Sequence, residues 1–239
     1  MSWLERTMVG FDTETTGVDS SIDRIVSAAV IFRDGADGAV SARTWLINPG
    51  VEIPERATAV HGITTAMARA NGADPAVALG EIAALLAAAL ANGSPIVAFN
   101  AGYDLGILEA ELARHGLPSL ARRVGPAHTL RPVVDPLVLD RHLDRFRRGK
   151  RKLIDLCAYY GVAVDEDSLH AADADVLATL DLVQAMARAY PTIATTGLPE
   201  LHDQQVSAYR SWAVEFRAWL TSRGRTEDLP DLDWPLPLR

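Results

Sequence analysis

The sequence predicts an α/β fold: a mixed sheet flanked by helices, with a C-terminal helical extension. Three observations carry this. Three β-rich segments come first, and Asp-Gly pairs join the second to the third as a hairpin does. Short apolar runs of buried-strand type then alternate with stretches of helical period. The resulting order, βββ-α-β-α-β-α-α, is that of a mixed sheet and not of eight repeating βα units.

The opening strand covers residues 7–14 and ends in FDTETTG. Residues 24–32 (RIVSAAVIF) and 40–48 (VSARTWLIN) follow, with RDGADGA between them, so the start reads as an antiparallel meander. NPGVEIP and HGIT (61–64) read as loops, and residues 64–70 as a short helix. A long helix over 75–91 tolerates Pro75 in its first turn and stops at Asn92-Gly93. PIVAFN (95–100) is a buried strand that leads into a helix over 103–115, stopped by Gly116. RPVVDPLVLDRHL gives a further strand and a helix begun at Pro136. KLIDLCAYYGV and HAADADVLATLDLVQAMARAY are two more helices, the latter apolar at 176, 177, 180, 183 and 186. Residues 190–199 read as a linker, and 200–222 as a helix with Tyr209, Trp212, Phe216 and Trp219 on one stripe. The proline-punctuated LPDLDWPLPLR is not helical. The expected organisation is a catalytic domain over 1–190, then a linker and C-terminal helical extension over 191–239.

A chain of 239 residues, 49% hydrophobic and 23% charged, can build a sizeable core. Cys157 is the only cysteine, which excludes an internal disulfide. MSWLERT is charged by residue 5 and has no apolar h-region, so no signal peptide is expected. The longest apolar run, EIAALLAAALANG, is too short to span a membrane. A cytoplasmic protein without a membrane partner is the expectation. The net charge of -8 argues against wrapping duplex DNA. Gripping a few terminal nucleotides needs few cations, and bound metal ions can supply positive charge.

Asp12 and Glu14 share one face of the opening strand, about 7 Å apart along it. They repel unless something positive sits between them, so the pair is either a solvated strand end or half of a metal site. Asp104 follows a buried strand at the first turn of a helix. There it serves the helix dipole, or it reaches the same sheet edge if that strand lies beside the first. In HAADAD, His170 and Asp175 are about 140° apart on a helix. They converge only if His170 lies in the preceding loop or first turn, with Asp167 or Ser168 as N-cap.

Together these segments resemble the three motifs of the DEDDh exonuclease superfamily, the group that includes the proofreading subunit of the bacterial replicative polymerase. The motifs are Asp12-Thr13-Glu14, Asn100 to Asp104, and His170 to Asp175, and HGIT stands where the family carries a loop motif. The histidine sets the subclass: the related group would show Tyr-x-x-x-Asp, and no tyrosine precedes Asp175 at that distance. The resemblance covers about residues 7–190. It implies a ribonuclease H-like five-stranded mixed sheet with three antiparallel strands first.

It also implies phosphodiester hydrolysis at a 3' end, releasing nucleoside 5'-monophosphates. Two divalent ions roughly 3.5–4 Å apart serve such chemistry, and carboxylate oxygens suit Mg²⁺ or Mn²⁺. Asp12, Glu14, Asp104 and Asp175 are the expected ligands. His170, with an ordinary pKa of about 6.5, is the expected general base for the attacking water. Thr15, Thr16 and Gly17 turn the backbone beside the scissile phosphate, and His61, Ile63 and Asn100 border the terminal nucleotide. Single-stranded DNA is favoured as substrate. RNA trimming, or an oligoribonucleotide substrate, stays open because contacts to the 2'-OH are not visible in sequence. A non-catalytic polymerase accessory is the remaining alternative, disfavoured by the full set of active-site residues.

No phosphate-binding loop, dinucleotide fingerprint or serine elbow competes. Cys157 reads as core, and His115, His128, His142 and His202 as surface. Residues 141–152 hold seven lysines and arginines against one acid, and are either a path for phosphates or a solvated helix end. The aromatic stripe near the C-terminus packs on its own domain or a dimer mate. A DNA polymerase is the third candidate, since the family's proofreading subunit binds its polymerase through a C-terminal extension.

Overall fold

Met8, Val9 and Phe11 are buried on both faces of β1 (Met8–Thr15), as an interior strand requires. β2 (Ile25–Arg33) pairs antiparallel with β1, placing Asp12 opposite Ala29 and Glu14 opposite Ser27. β3 (Val40–Leu46) pairs antiparallel with β2. Helices α1 (Glu55–His61), α2 (Thr65–Asn71) and α3 (Pro75–Ala91) precede β4 (Ile96–Val97), which joins β1 in parallel. α4 (Ala101–Arg114) and α5 (Leu120–Val124) lead to β5 (Val133–Val134), parallel to β4. The sheet has five strands in the order β3-β2-β1-β4-β5, mixed as expected. The chain continues through α6 (Pro136–Leu143), α7 (Leu153–Tyr160), α8 (Ala172–Ala189), α9 (Thr192–Thr195) and α10 (Leu198–Ser222). This computed structural model describes residues 2–35, 38–125, 130–164, 171–227 and 229–236. His128, Asp167, Ser168 and His170 lie outside the described residues. No helix among the described residues is long and apolar enough to cross a membrane.

Alternation along β1 divides the core. Val9 and Phe11 pack with Ile82 and Leu86 of α3 and with Leu105 and Leu108 of α4. Met8 packs on the other face with Leu180 and Val183 of α8. Gly10 sets how closely α8 approaches: a Cβ there would stand 2.3 Å from Cγ1 of Val176. α8 is thereby held against the face of β1 that bears Asp12 and Glu14.

Several elements depart from expectation. His61 ends α1 instead of lying in a loop; Gly62, at φ 75°, closes that helix and Thr64 caps α2. α1 and α5 span seven and five residues, too few periodic positions to stand out in sequence. Within residues 190–199, α9 buries Ile193, whose carbonyl accepts from Trp3 Nε1 at 2.8 Å.

α10 lies along the outer edge of the sheet. The Val133 N–H donates to His202 Nδ1 (3.2 Å), and the Asp135 N–H to Gln205 Oε1 (2.7 Å). Gln205 Nε2 donates in turn to the Val133 carbonyl (3.1 Å). Side chains thus satisfy the outward backbone groups of edge strand β5. This corrects one expectation: His202 is buried, not on the surface, and its ring lies 5.2 Å from that of Trp234. Trp234, in the non-helical tail, is itself buried in the α3–α4 core. His142 is exposed, His115 half-buried, and Cys157 buried as expected.

Candidate active site

β1, β4 and β5 run parallel, so their carboxyl ends share one edge of the sheet, where ligands of open α/β sheets gather. Asp12 and Glu14 emerge there on the α8 face. Asp175, in the first turn of α8, reaches them because the helix packs down on Gly10. Carboxylate oxygens of Asp12, Glu14 and Asp175 lie within 4.8 Å of one another. The β1–β2 register shifts between Glu14 and Thr15, a bulge that ends regular pairing beside the acids.

Asp104 arrives from the other side of the sheet. α4 follows β4 at once, and the β4–β1 pairing carries its first turn to the same edge. Asp104 Oδ1 accepts from the Thr13 N–H (3.1 Å) and from Thr13 Oγ1 (2.6 Å). The four acids therefore resolve into a cluster of three, with Asp104 beside it and fastened to Thr13.

Burial raises the Asp12 carboxyl well above the usual range, and the charges of Asp104, Glu14 and Asp175 add to it. Glu14 is pushed up to about 8 by burial, then by Asp175 and Asp104. Burial also lifts Asp104 to about 7, against the pull of the two Thr13 hydrogen bonds. Mutual repulsion of this size is relieved by protons or by cations. The donors are all hard oxygens, close enough together for a divalent cation. The residues fit a divalent metal.

The turn after β1 has its own fastenings. Tyr103 Oη donates to the Gly17 carbonyl (2.5 Å), Thr15 Oγ1 donates to the same carbonyl (2.6 Å), and the two hydroxyls are 2.7 Å apart. Thr16 is buried: its N–H donates to the Arg24 carbonyl (2.9 Å), and Oγ1 bonds Asp23 Oδ1 (2.8 Å). A Cβ on Gly17 would lie 2.5 Å from Asp23 Oδ2, so a side chain there would displace the Asp23 carboxylate from Thr16. His61 Nδ1 accepts from the Ile63 N–H (3.1 Å), and its Nε2 is buried with no hydrogen-bond partner among the described residues. Burial lowers its pKa, with the Thr15 backbone opposing. Ile63 is half-buried against Val26, Ile53 and Ala57, and Asn100 is exposed at the N-cap of α4.

Tyr103 and Asp135 are not singled out by sequence. Asp135 accepts from the N–H groups of Asn100 (3.1 Å), Ala101 (2.9 Å) and Leu137 (2.9 Å). Its signal was its place: an acid directly after a buried strand, as with Asp12. In the basic stretch, Arg147 and Arg151 pair with buried Asp140, Arg145 pairs with Glu215 (2.7 Å), and Arg141 stacks 3.9 Å over Trp212. Four of its seven cations thus serve the fold, and Arg148, Lys150 and Lys152 are exposed.

The family model described as exonuclease matches residues 9–183, from β1 through most of α8. The chain belongs to this exonuclease family. Its domain is of the DEDDh 3'–5' exonuclease type, and the matched span takes in all three motifs. It is 33% identical over 194 residues to a DNA polymerase III subunit epsilon-like protein of Rhodobacter capsulatus, covering 80% of this chain. The chain spans only 25% of that relative's length. An uncharacterised exonuclease of Escherichia phage 186 is 32% identical over 195 residues, 78% of this chain and 91% of the phage protein. The fold is that of E. coli exonuclease I, solved as a zinc-bound complex with single-stranded DNA: TM-score 0.66 at 20% identity, over 90% of this chain and 45% of that one.

Proposed function

We propose that the protein is a metal-dependent 3'–5' exonuclease that removes nucleoside 5'-monophosphates from single-stranded DNA in the cytoplasm. Residues 1–190 are assigned to the catalytic domain and 191–239 to the linker and helical extension, where a polymerase or a second copy would dock. The observation that carries the reading is the cluster of Asp12, Glu14 and Asp175 with Asp104 beside it, at the carboxyl edge of a parallel pair. The single-stranded substrate is supported by the DNA complex of exonuclease I, and the proofreading context by the epsilon-like relative.

Bound at the carboxylates, two Mg²⁺ or Mn²⁺ ions would polarise the scissile phosphate and offset charge on the departing 3'-oxygen. Asp12, Glu14 and Asp175 would hold them, and Asp104 would complete the set from a position that its hydrogen bonds to Thr13 fix. His170 is assigned the proton of the attacking water, taken on an imidazole nitrogen. Thr15, Thr16 and Gly17 form the turn that receives the phosphate, and Tyr103 keeps it in shape. His61, Ile63 and Asn100 border the terminal nucleotide.

The test is digestion of matched 5'-labelled DNA and RNA oligonucleotides with Mg²⁺ or Mn²⁺. A ladder shortening from the 3' end, faster on DNA, is expected. No ladder on either polymer sinks the proposal, and a faster ladder on RNA reassigns the substrate. Tyr103→Phe removes one of the two hydroxyls that hold the Gly17 carbonyl, a loss of about 1 kcal/mol. It should raise KM about fivefold with kcat nearly unchanged; unchanged KM shows that the turn does not need the tyrosine hydroxyl.

A further inference from the structure

Gln205, on α10, is 1% exposed and uses its whole amide within the protein. Oε1 accepts from the Asp135 N–H (2.7 Å), while Nε2 donates to the carbonyls of Val133 (3.1 Å) and Leu201 (3.1 Å). Asp135, also 1% exposed, ties the turn that opens α4 to the start of α6: its carboxylate accepts from Asn100 and Ala101 and from Leu137. That turn needs holding. Asn100 has φ 61°, and among the described residues it is the one non-glycine in the left-handed region. Such a conformation persists where the surroundings over-determine it. Asp104 stands four residues on, in the first turn of α4. The tail passes beside the same turn: a Cβ on Gly102 would lie in ordinary contact, 3.4 Å, with the Pro235 carbonyl oxygen.

We propose that Gln205 is a positioning residue of the active site: by holding Asp135 it fixes the Asn100–Ala101 turn and, through it, Asp104. The inference rests on the exonuclease reading. The physical step is the cost of an orphaned donor. Without Oε1 the buried Asp135 N–H has no acceptor, and the β5–α6 junction shifts to find one. The carboxylate shifts with it and releases the strained turn. The C-terminal helix then belongs to the catalytic machinery instead of merely following it.

Gln205→Met keeps the volume and removes both polar functions. The folded variant is expected to lose about tenfold in kcat, the scale of a supporting contact behind a metal ligand, with KM nearly unchanged. Half-saturation by Mg²⁺ should move to higher concentration. Amide exchange at Asn100 and Ala101 should quicken while β2 and β3 amides keep their protection. Wild-type kcat and Mg²⁺ dependence overturn the proposal, as does exchange that quickens everywhere together. Should Gln205→Met not fold, Gln205→Asn decides, because its side chain stays polar but is one methylene too short to reach the Asp135 N–H. It is expected to show the same loss in kcat with quicker exchange at Asn100 and Ala101, and wild-type kcat, or exchange that quickens over all amides together, overturns the link. Gln204→Ala, an exposed neighbour, is the control and should change nothing. If the wild type gives no ladder, the exonuclease reading fails, and amide exchange at Asn100 and Ala101 alone decides the Gln205 link.

Discussion

Asp12→Asn is expected to abolish digestion at the 3' end while the metal-free variant melts higher than the wild type. Both outcomes have one cause. Asp12 is half-buried among three other carboxylates, and desolvation with their charges raises its pKa well above the ordinary range. In the absence of cations that arrangement opposes folding, since a proton must be held or a buried charge tolerated. Asparagine keeps the shape and removes the charge, so Tm in chelator should rise by about 2 °C or more. Most substitutions at buried positions lower stability. A rise therefore marks a site built for a ligand, not for the fold. With Mg²⁺ the same change removes a charged ligand. Because metal ions supply several kcal/mol of transition-state stabilisation, kcat should fall about 10³-fold. Initial rates on a labelled oligonucleotide and calorimetric melts in chelator check the two halves. A variant within tenfold of wild-type kcat, or one that melts lower without metal, refutes this account of Asp12.

Strands and acids were legible in sequence because each carries a local signature. β1 could be read from an apolar run that ends in two acids of one parity, and β2–β3 from Asp-Gly pairs between β-rich segments. α3 was bounded to the residue by Pro75 and Asn92-Gly93. α1, α5 and α9 were not legible, since four to seven residues hold too little periodicity to distinguish a helix from a loop. Tertiary pairing was less visible still. Asp140 gathers Arg147, Arg151 and Tyr160 from a basic stretch and a neighbouring helix, and nothing in their spacing foretells it. His202 and Gln205 look like ordinary polar residues of an amphipathic helix until β5 presents its free backbone groups to them. The division of the acids was hidden for a similar reason. Motif order places Asp104 with the others, whereas the Thr13 hydrogen bonds that hold it apart arise only when β4 pairs with β1.

The second large effect is on pH. Glu14 is raised from an ordinary 4.5 to about 8, and Asp104 from 3.8 to about 7. Between those limits the folded metal-free protein holds protons that the unfolded chain has released, so unfolding is favoured as pH rises. His61 and His202 act with the opposite sign: burial lowers both, so their contribution grows with pH until the unfolded histidines are neutral near 6.5. Above about pH 6.5 the carboxylates dominate, and Tm in chelator should fall by roughly 4 °C toward pH 8. Saturating Mg²⁺ favours the ionised carboxylates, so its stabilising shift should widen over the same interval as protons cease to compete. Glu14→Gln removes a carboxyl pushed up to about 8 and should flatten the chelator profile above pH 7. Calorimetric melts across this window, with chelator and with Mg²⁺, measure both curves. A chelator profile that stays level or climbs toward pH 8, or a Mg²⁺ shift that does not change with pH, means that the acids at the end of β1 are not held protonated by burial and one another.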